Sequence, residues 1–98
     1  MICTLGIWNV KDGREEEFAR RWEESADSLI LEYPDLRFRL LRDPEDHRRF
    51  VSLGEGWRNL EQVEEVRELP SFQESMTSIW RLLDSGDLST LELAVEIS

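Results

Sequence analysis

Apolar and polar positions along the chain repeat with two different periods, and the switches between them divide it into elements. Ile2 to Val10 alternates as a strand, with Cys3, Leu5 and Ile7 on one parity and Ile2 and Trp8 on the other. Lys11-Asp12-Gly13 ends it and opens a helix, which Asp12 is expected to cap, with Glu15 as the matching capping-box residue. Glu15, Glu16 and Glu17 fall where the helix dipole favours negative charge. Phe18, Trp22, Ala26, Leu29 and Tyr33 then form one helical stripe, stopped by Pro34. Leu36, Phe38 and Leu40 alternate with Arg37 and Arg39 in a second strand, and Asp43 to Asp46 make a turn into a third, about Arg49 to Gly56. Asn59, with Gln62 at the capping-box position, starts a helix whose buried side is Leu60, Val63 and Val66. Pro70 breaks that helix and begins another through Phe72, Met76, Ile79 and Leu83, which Ser85-Gly86-Asp87 is expected to end. Leu91, Leu93, Val95 and Ile97 alternate with polar neighbours in a final strand.

The order strand, helix, strand, strand, helix, strand predicts an α+β fold of ferredoxin-like β-α-β-β-α-β type. The second helical segment is split at Pro70, and a four-stranded antiparallel sheet carries the helices on one face. The other face is then bare. Four strands at ~4.8 Å spacing and roughly 17 to 20 Å length give each face on the order of 350 Å². An apolar patch of that size is near the limit that a soluble monomer leaves open. Bulky residues occur on both parities, for Phe38 and Leu40 oppose Leu41, and Val51 and Leu53 oppose Phe50. The simplest cover is a second copy, sheet against sheet, closing a dimeric α+β barrel.

The two parities differ in kind. One gathers Leu5, Ile7, Val51, Leu53, Leu91, Leu93 and Val95; the other holds Thr4, Gly6, Trp8, Ser52, Gly54, Thr90 and Glu92. Where Gly6 and Gly54 remove side chains beside Trp8, Thr4 and Ser52, a cavity for a flat apolar ligand can form. The alternative is that the glycines ease twist or a bulge and helix side chains fill the space.

Composition narrows the partners. The 98 residues are the size of one domain, with no visible linker or repeat. A net charge of -10 argues against nucleic acid, whose phosphates need a basic surface. With 35% charged residues the chain is not expected in a membrane, and with no basic-then-apolar leader a cytoplasmic location is the expectation. Acidic residues are spread along helix faces, as on solvated surfaces.

Candidate chemical groups are few. Cys3 has no partner for a disulfide and reads as a small buried hydrophobe; with His47, the one histidine, it cannot build a structural zinc site. His47 has the right intrinsic pKa for acid-base work but sits by a polar hairpin turn. Arg37 and Arg39 share a strand face, and either one points to the sheet-helix cleft to hold an anionic oxygen or both pair with carboxylates such as Glu92 and Glu96. No Ser-His-Asp set, phosphate loop or metal cluster has usable spacing.

The stretch Lys11-Asp12-Gly13-Arg14-Glu15-Glu16-Glu17-Phe18, the strand Arg49-Phe50-Val51-Ser52-Leu53-Gly54, Trp57, and Leu69-Pro70-Ser71-Phe72-Gln73-Glu74 together resemble the antibiotic biosynthesis monooxygenase-like family of dimeric α+β barrels. The resemblance spans nearly the whole chain, residues 1–98, and implies a homodimer through the sheet faces with a pocket between sheet and helices in each subunit. For its monooxygenase members it implies oxidation of an activated polycyclic phenol by O₂ without metal or flavin. The pocket is then expected to be lined by Thr4, Gly6, Trp8, Arg39, Ser52, Trp57, Phe72 and Met76, with no metal, no cofactor and no assignable catalytic residue.

Haem-degrading relatives use an asparagine, a tryptophan and a histidine where Gly6, Val66 and Met76 stand here, so that branch is disfavoured. Two functions remain. A cofactor-independent oxygenase of a flat aromatic or polyketide-like molecule needs an enclosed cavity, whereas a non-catalytic dimeric binding or interaction module predicts a filled core.

Overall fold

The computed structural model describes residues 1–98. Its elements are β1 (Ile2–Val10), α1 (Glu15–Glu32), β2 (Arg37–Arg42), β3 (Arg49–Trp57), α2 (Leu60–Glu68), α3 (Pro70–Trp80) and β4 (Leu83–Glu92). The strands form one sheet in the order β2-β3-β1-β4, each neighbouring pair antiparallel. This is the ferredoxin-like arrangement, with the first and third strands at the centre. The shortest extent of the molecule, 19 Å, is that of one sheet plus one layer of helices.

The core lies between those layers. Trp8 and Val10 of β1 and Phe50 of β3 pack with Phe18 of α1, Ile79 of α3, and Leu82 and Leu83 at the start of β4. Phe18 holds the group together, its ring centroid 5.7 Å from that of Trp8 and 5.1 Å from that of Phe50. Both rings are tilted, the geometry that aromatic quadrupoles favour.

Helix ends follow local chemistry, with one correction. Asn59 caps α2, its side chain accepting the Gln62 N–H at 2.9 Å, and Gln62 Oε1 accepts the Arg58 N–H at 2.7 Å. Pro70 occupies the first turn of α3, where its missing N–H costs nothing. Asp12 does not cap α1. The N-cap position is Arg14, because Gly13 turns the chain at φ 83° and carries Asp12 out of reach. Glu15 instead reaches back to accept the Gly13 N–H at 3.0 Å.

The last element also differs from expectation. Helix α3 ends at Trp80, and Ser85-Gly86-Asp87 lies inside β4, paired with Asn9, Trp8 and Ile7. Gly86 is not a turn residue: a Cβ there would lie 2.8 Å from the Trp80 ring, so the glycine lets that indole pack on the strand. The strand stops at Glu92, and beyond it Leu93 donates its N–H to the Met1 carbonyl at 2.9 Å while Val95 and Ile97 are exposed.

Strand alternation separates two surfaces. Thr4, Gly6, Trp8, Ser52, Gly54 and Leu88 face the helices; Leu5, Ile7, Val51 and Leu53 face away, paired across β1 and β3 as Leu5 with Leu53 and Ile7 with Val51. Leu41 and Leu91, on the same outer side, are about half exposed at 50% and 48%. Only 15 of the 98 residues are buried, a low share that follows from a sheet covered on one side.

Candidate functional site

Between the helix-facing side of the sheet and the helical layer lies a cavity of about 70 Å³. Its floor is Thr4, Gly6 and Trp8 of β1 with Ser52 and Gly54 of β3, and its roof is Trp22, Ala26 and Leu29 of α1, Val63 and Val66 of α2, and Phe72 and Met76 of α3. Twelve of the 18 lining residues are hydrophobic, so an occupant is mainly apolar. The volume exceeds what one water requires and is about half the ~150 Å³ of an engineered cavity that accepts benzene.

The floor is shaped by two indole-hydroxyl pairs. Trp8 Nε1–H donates to Ser52 Oγ at 2.9 Å, and Trp57 Nε1–H donates to Thr4 Oγ1 at 3.2 Å. Each pair stands where a glycine withholds a side chain. A Cβ on Gly6 would lie 2.5 Å from Ser52 Oγ and 2.6 Å from the Trp8 indole, and one on Gly54 would collide with Thr4 Oγ1. The space these glycines provide is thus occupied by hydroxyls and indoles that form the cavity wall.

Trp57 joins this wall through a β-bulge. One extra residue of β3 opposes β1 between the Thr4–Gly54 and Ile2–Trp57 pairs, with Gly56 at φ 88°. A Cβ on Gly56 would strike the Asp35 carbonyl, so glycine is required both for φ and for space. The bulge turns the Trp57 ring to the helix side, edge-on to Phe38 with centroids 6.1 Å apart.

Thr4, Gly6, Trp8, Ser52, Trp57, Phe72 and Met76 thus surround one space. Arg39 does not. With Phe38 and Leu40 turned inward, strand alternation sends Arg37 and Arg39 outward, and the Arg39 guanidinium pairs with Glu55 at 3.0 Å in solvent. The single charged residue of the lining is Arg67 of α2, which makes none of the ion pairs of the chain. Its spacing of four from Val63 places it one helical turn further along the same face, a signal present in the sequence. Leu88 escaped sequence reasoning because its strand begins earlier than the alternation around Leu91 suggests.

Gly6, Val66 and Met76, the three positions weighed for haem ligation, all line the cavity, and none supplies an imidazole for iron. The lining contains no His, Asp, Glu, Lys, Tyr or Cys, so no side chain there can act as a general base near neutral pH. A polar groove of about 330 Å³ runs between α1 and α3 past Arg21, Ser28, Glu74 and Ser78. Arg21 Nη1–H donates across it to Ser78 Oγ at 2.8 Å, and the groove meets the cavity at Ser25.

Away from the cavity, Asp12, Glu15 and His47 bring potential metal-ligating atoms within 4.8 Å of one another, a grouping that chain spacing did not reveal. His47 Nε2 lies 3.9 Å from Glu15 Oε1, and His47 is exposed. The Glu15 pKa is lowered by hydrogen bonding from its own backbone N–H, then from that of Gly13, and by the charges of His47 and Arg42, against an opposing effect of burial. Such a carboxylate is a helix-end anchor beside the positive pole of α1, where a further cation is disfavoured.

The fold is shared with solved structures at low sequence identity. SnoaB, a cofactor-independent oxygenase from Streptomyces nogalater, superposes with a TM-score of 0.85 at 16% identity, covering 98% of this chain and 95% of that one. A candidate antibiotic biosynthesis monooxygenase from Deinococcus radiodurans gives 0.85 at 15% identity over 100% of this chain and 97% of that one. A further antibiotic biosynthesis monooxygenase gives 0.82 at 15% identity over 97% and 100%. Comparison with curated proteins gives no match. The antibiotic biosynthesis monooxygenase family model matches residues 1–78, which contain both indole-hydroxyl pairs and the helical wall through Met76, and the chain belongs to that family.

Proposed function

We propose that this protein is a cofactor-independent monooxygenase that oxidises a flat aromatic or polyketide-like molecule in the cavity between sheet and helices. The observation that carries the reading is the cavity itself: apolar walls, two hydroxyls on the sheet side, and one arginine, Arg67, in the lining. Family membership and the likeness to SnoaB support it.

The chemistry suits a lining without a base. An anthrone-type CH₂ flanked by aromatic rings and a carbonyl is acidic enough to enolise, and donors around the carbonyl oxygen stabilise the enolate as charge develops. The electron-rich enolate reduces O₂: one oxygen atom becomes the new carbonyl oxygen, the other leaves as water with the two hydrogens of the CH₂. The protein holds the ring, stabilises the oxyanion and limits access of water.

A tricyclic ring exceeds the present cavity volume. It enters with displacement of roof side chains, of which Met76, unbranched and with three rotatable bonds, moves most easily. The serine-lined groove between α1 and α3 offers the path.

The functional unit in this reading is a homodimer joined through the outer sheet faces. Its support is the apolar surface of Leu5, Ile7, Leu41, Val51, Leu53 and Leu91, which lacks cover in the single chain. The reaction is tested by oxygen uptake with dithranol and related anthrones. Uptake of one O₂ per quinone formed, above the uncatalysed rate, is expected; absence of turnover across the panel, with ligand still bound, favours a binding module of the same fold.

A further inference from the structure

We infer that the occupant of the cavity presents an ionised oxygen to Arg67 and to the hydroxyls of Thr4 and Ser52, so that the protein selects aromatic anions over neutral molecules of the same shape. The inference rests on the proposed use of this cavity as the ligand site and specifies the class of ligand.

A hydroxyl has one donor and two acceptor sites, whereas indole and guanidinium only donate. Ser52 already accepts from Trp8 and Thr4 already accepts from Trp57. Neither hydroxyl donates to another side chain in the structure, so each O–H is free to turn to an occupant. Arg67 adds a positive charge without a carboxylate partner. The lining contributes no carboxylate, amide or imidazole to receive a hydrogen bond.

A site furnished with donors and one unpaired cation rewards an acceptor, and an ionised acceptor most. In a largely apolar surrounding the guanidinium gains more from an anion than it would in water. The context strengthens the point: a chain of net charge -10 repels anions at long range, so preference for one requires local charge such as that of Arg67.

The probes are 2-naphthoate and its neutral isostere 2-naphthamide, titrated calorimetrically into the intact protein at pH 7.5. The wild type is expected to bind the naphthoate about tenfold or more tightly than the amide, the effect of one charge-assisted contact. Arg67→Met is expected to reduce that ratio to within about threefold, and Arg67→Lys, which keeps the charge but loses the planar fork, to restore part of it. Equal affinities in the wild type, binding of neither probe, or an undiminished ratio in a folded Arg67→Met variant overturns the inference. Thermal melts establish folding, and the wild-type comparison needs no variant. Anion preference without oxygen uptake removes the proposed reaction and leaves this inference standing; uptake without anion preference does the reverse.

Discussion

Trp8 and Ser52, 44 residues apart in sequence, meet as a buried donor and acceptor on neighbouring strands, Nε1–H to Oγ at 2.9 Å. Gly6 lies between them in space and pairs with Ser52 in the β1–β3 register. Two substitutions separate the contributions. Ser52→Ala orphans a buried indole N–H and is expected to cost about 1–3 kcal/mol. Gly6→Ala forces a methyl group against both partners, with an expected cost of about 1–3 kcal/mol from overpacking and a smaller cavity. Urea denaturation measures the first effect, and loss of ligand binding out of proportion to stability identifies the second. A neutral Gly6→Ala would mean that the glycine serves only strand twist.

Much of this arrangement was legible in the chain because it depends on parity. Alternation alone places Thr4, Gly6 and Trp8 on one side of β1 and Leu5 and Ile7 on the other, and the structure keeps them so. One element that misled is the segment where a glycine has a packing role. Gly86 resembles a helix terminator, yet it lies under the Trp80 ring inside β4. Gly56 closes the expected third strand, and its bulge carries the strand on to Trp57 and turns that ring to the cavity, where it was expected. Arg39 lies outside because Phe38 and Leu40 turn inward, whereas Arg67 follows Val63 by one helical turn and lies against the cavity.

Glu15 provides a pH signature independent of the cavity. Its folded pKa is lowered, first by its own backbone N–H and then by Gly13 N–H, His47 and Arg42. The unfolded chain therefore binds this proton more readily. The stabilisation is present above the ordinary glutamate value of about 4.3 and is lost as the pH falls through the lower folded value. Glu15→Gln should be less stable than the wild type at pH 6, and the two urea midpoints should converge toward pH 2. A gap that stays constant over this range would assign the loss to shape and not to charge.

Leu53 reports on the outer face. It pairs with Leu5 on β1 and Arg39 on β2, at the middle of the sheet. In the proposed homodimer a carboxylate at this position is desolvated against the apolar surface of a second copy, whereas in a lone protomer it projects into water. Leu53→Glu is expected to sediment as a folded monomer at concentrations where the wild type is dimeric. Retention of the dimer in that variant would place the interface elsewhere.

Met76 tests whether cavity volume limits ligand size. It is half-buried on α3, packed against the core cluster and against the cavity. Met76→Ala is expected to lower stability by about 2 kcal/mol, the low end for methionine truncation, because the site is only partly enclosed. The same change adds the space that a third fused ring requires beyond the present 70 Å³ or so. Affinity for a tricyclic ligand should therefore rise relative to that for a bicyclic one, in spite of the weaker fold. Calorimetric titration of 2-naphthoate and 2-anthroate into both proteins decides it. If the ratio of the two affinities is unchanged, the ring does not occupy the space under Met76, and the ligand lies nearer the Trp57 end of the cavity.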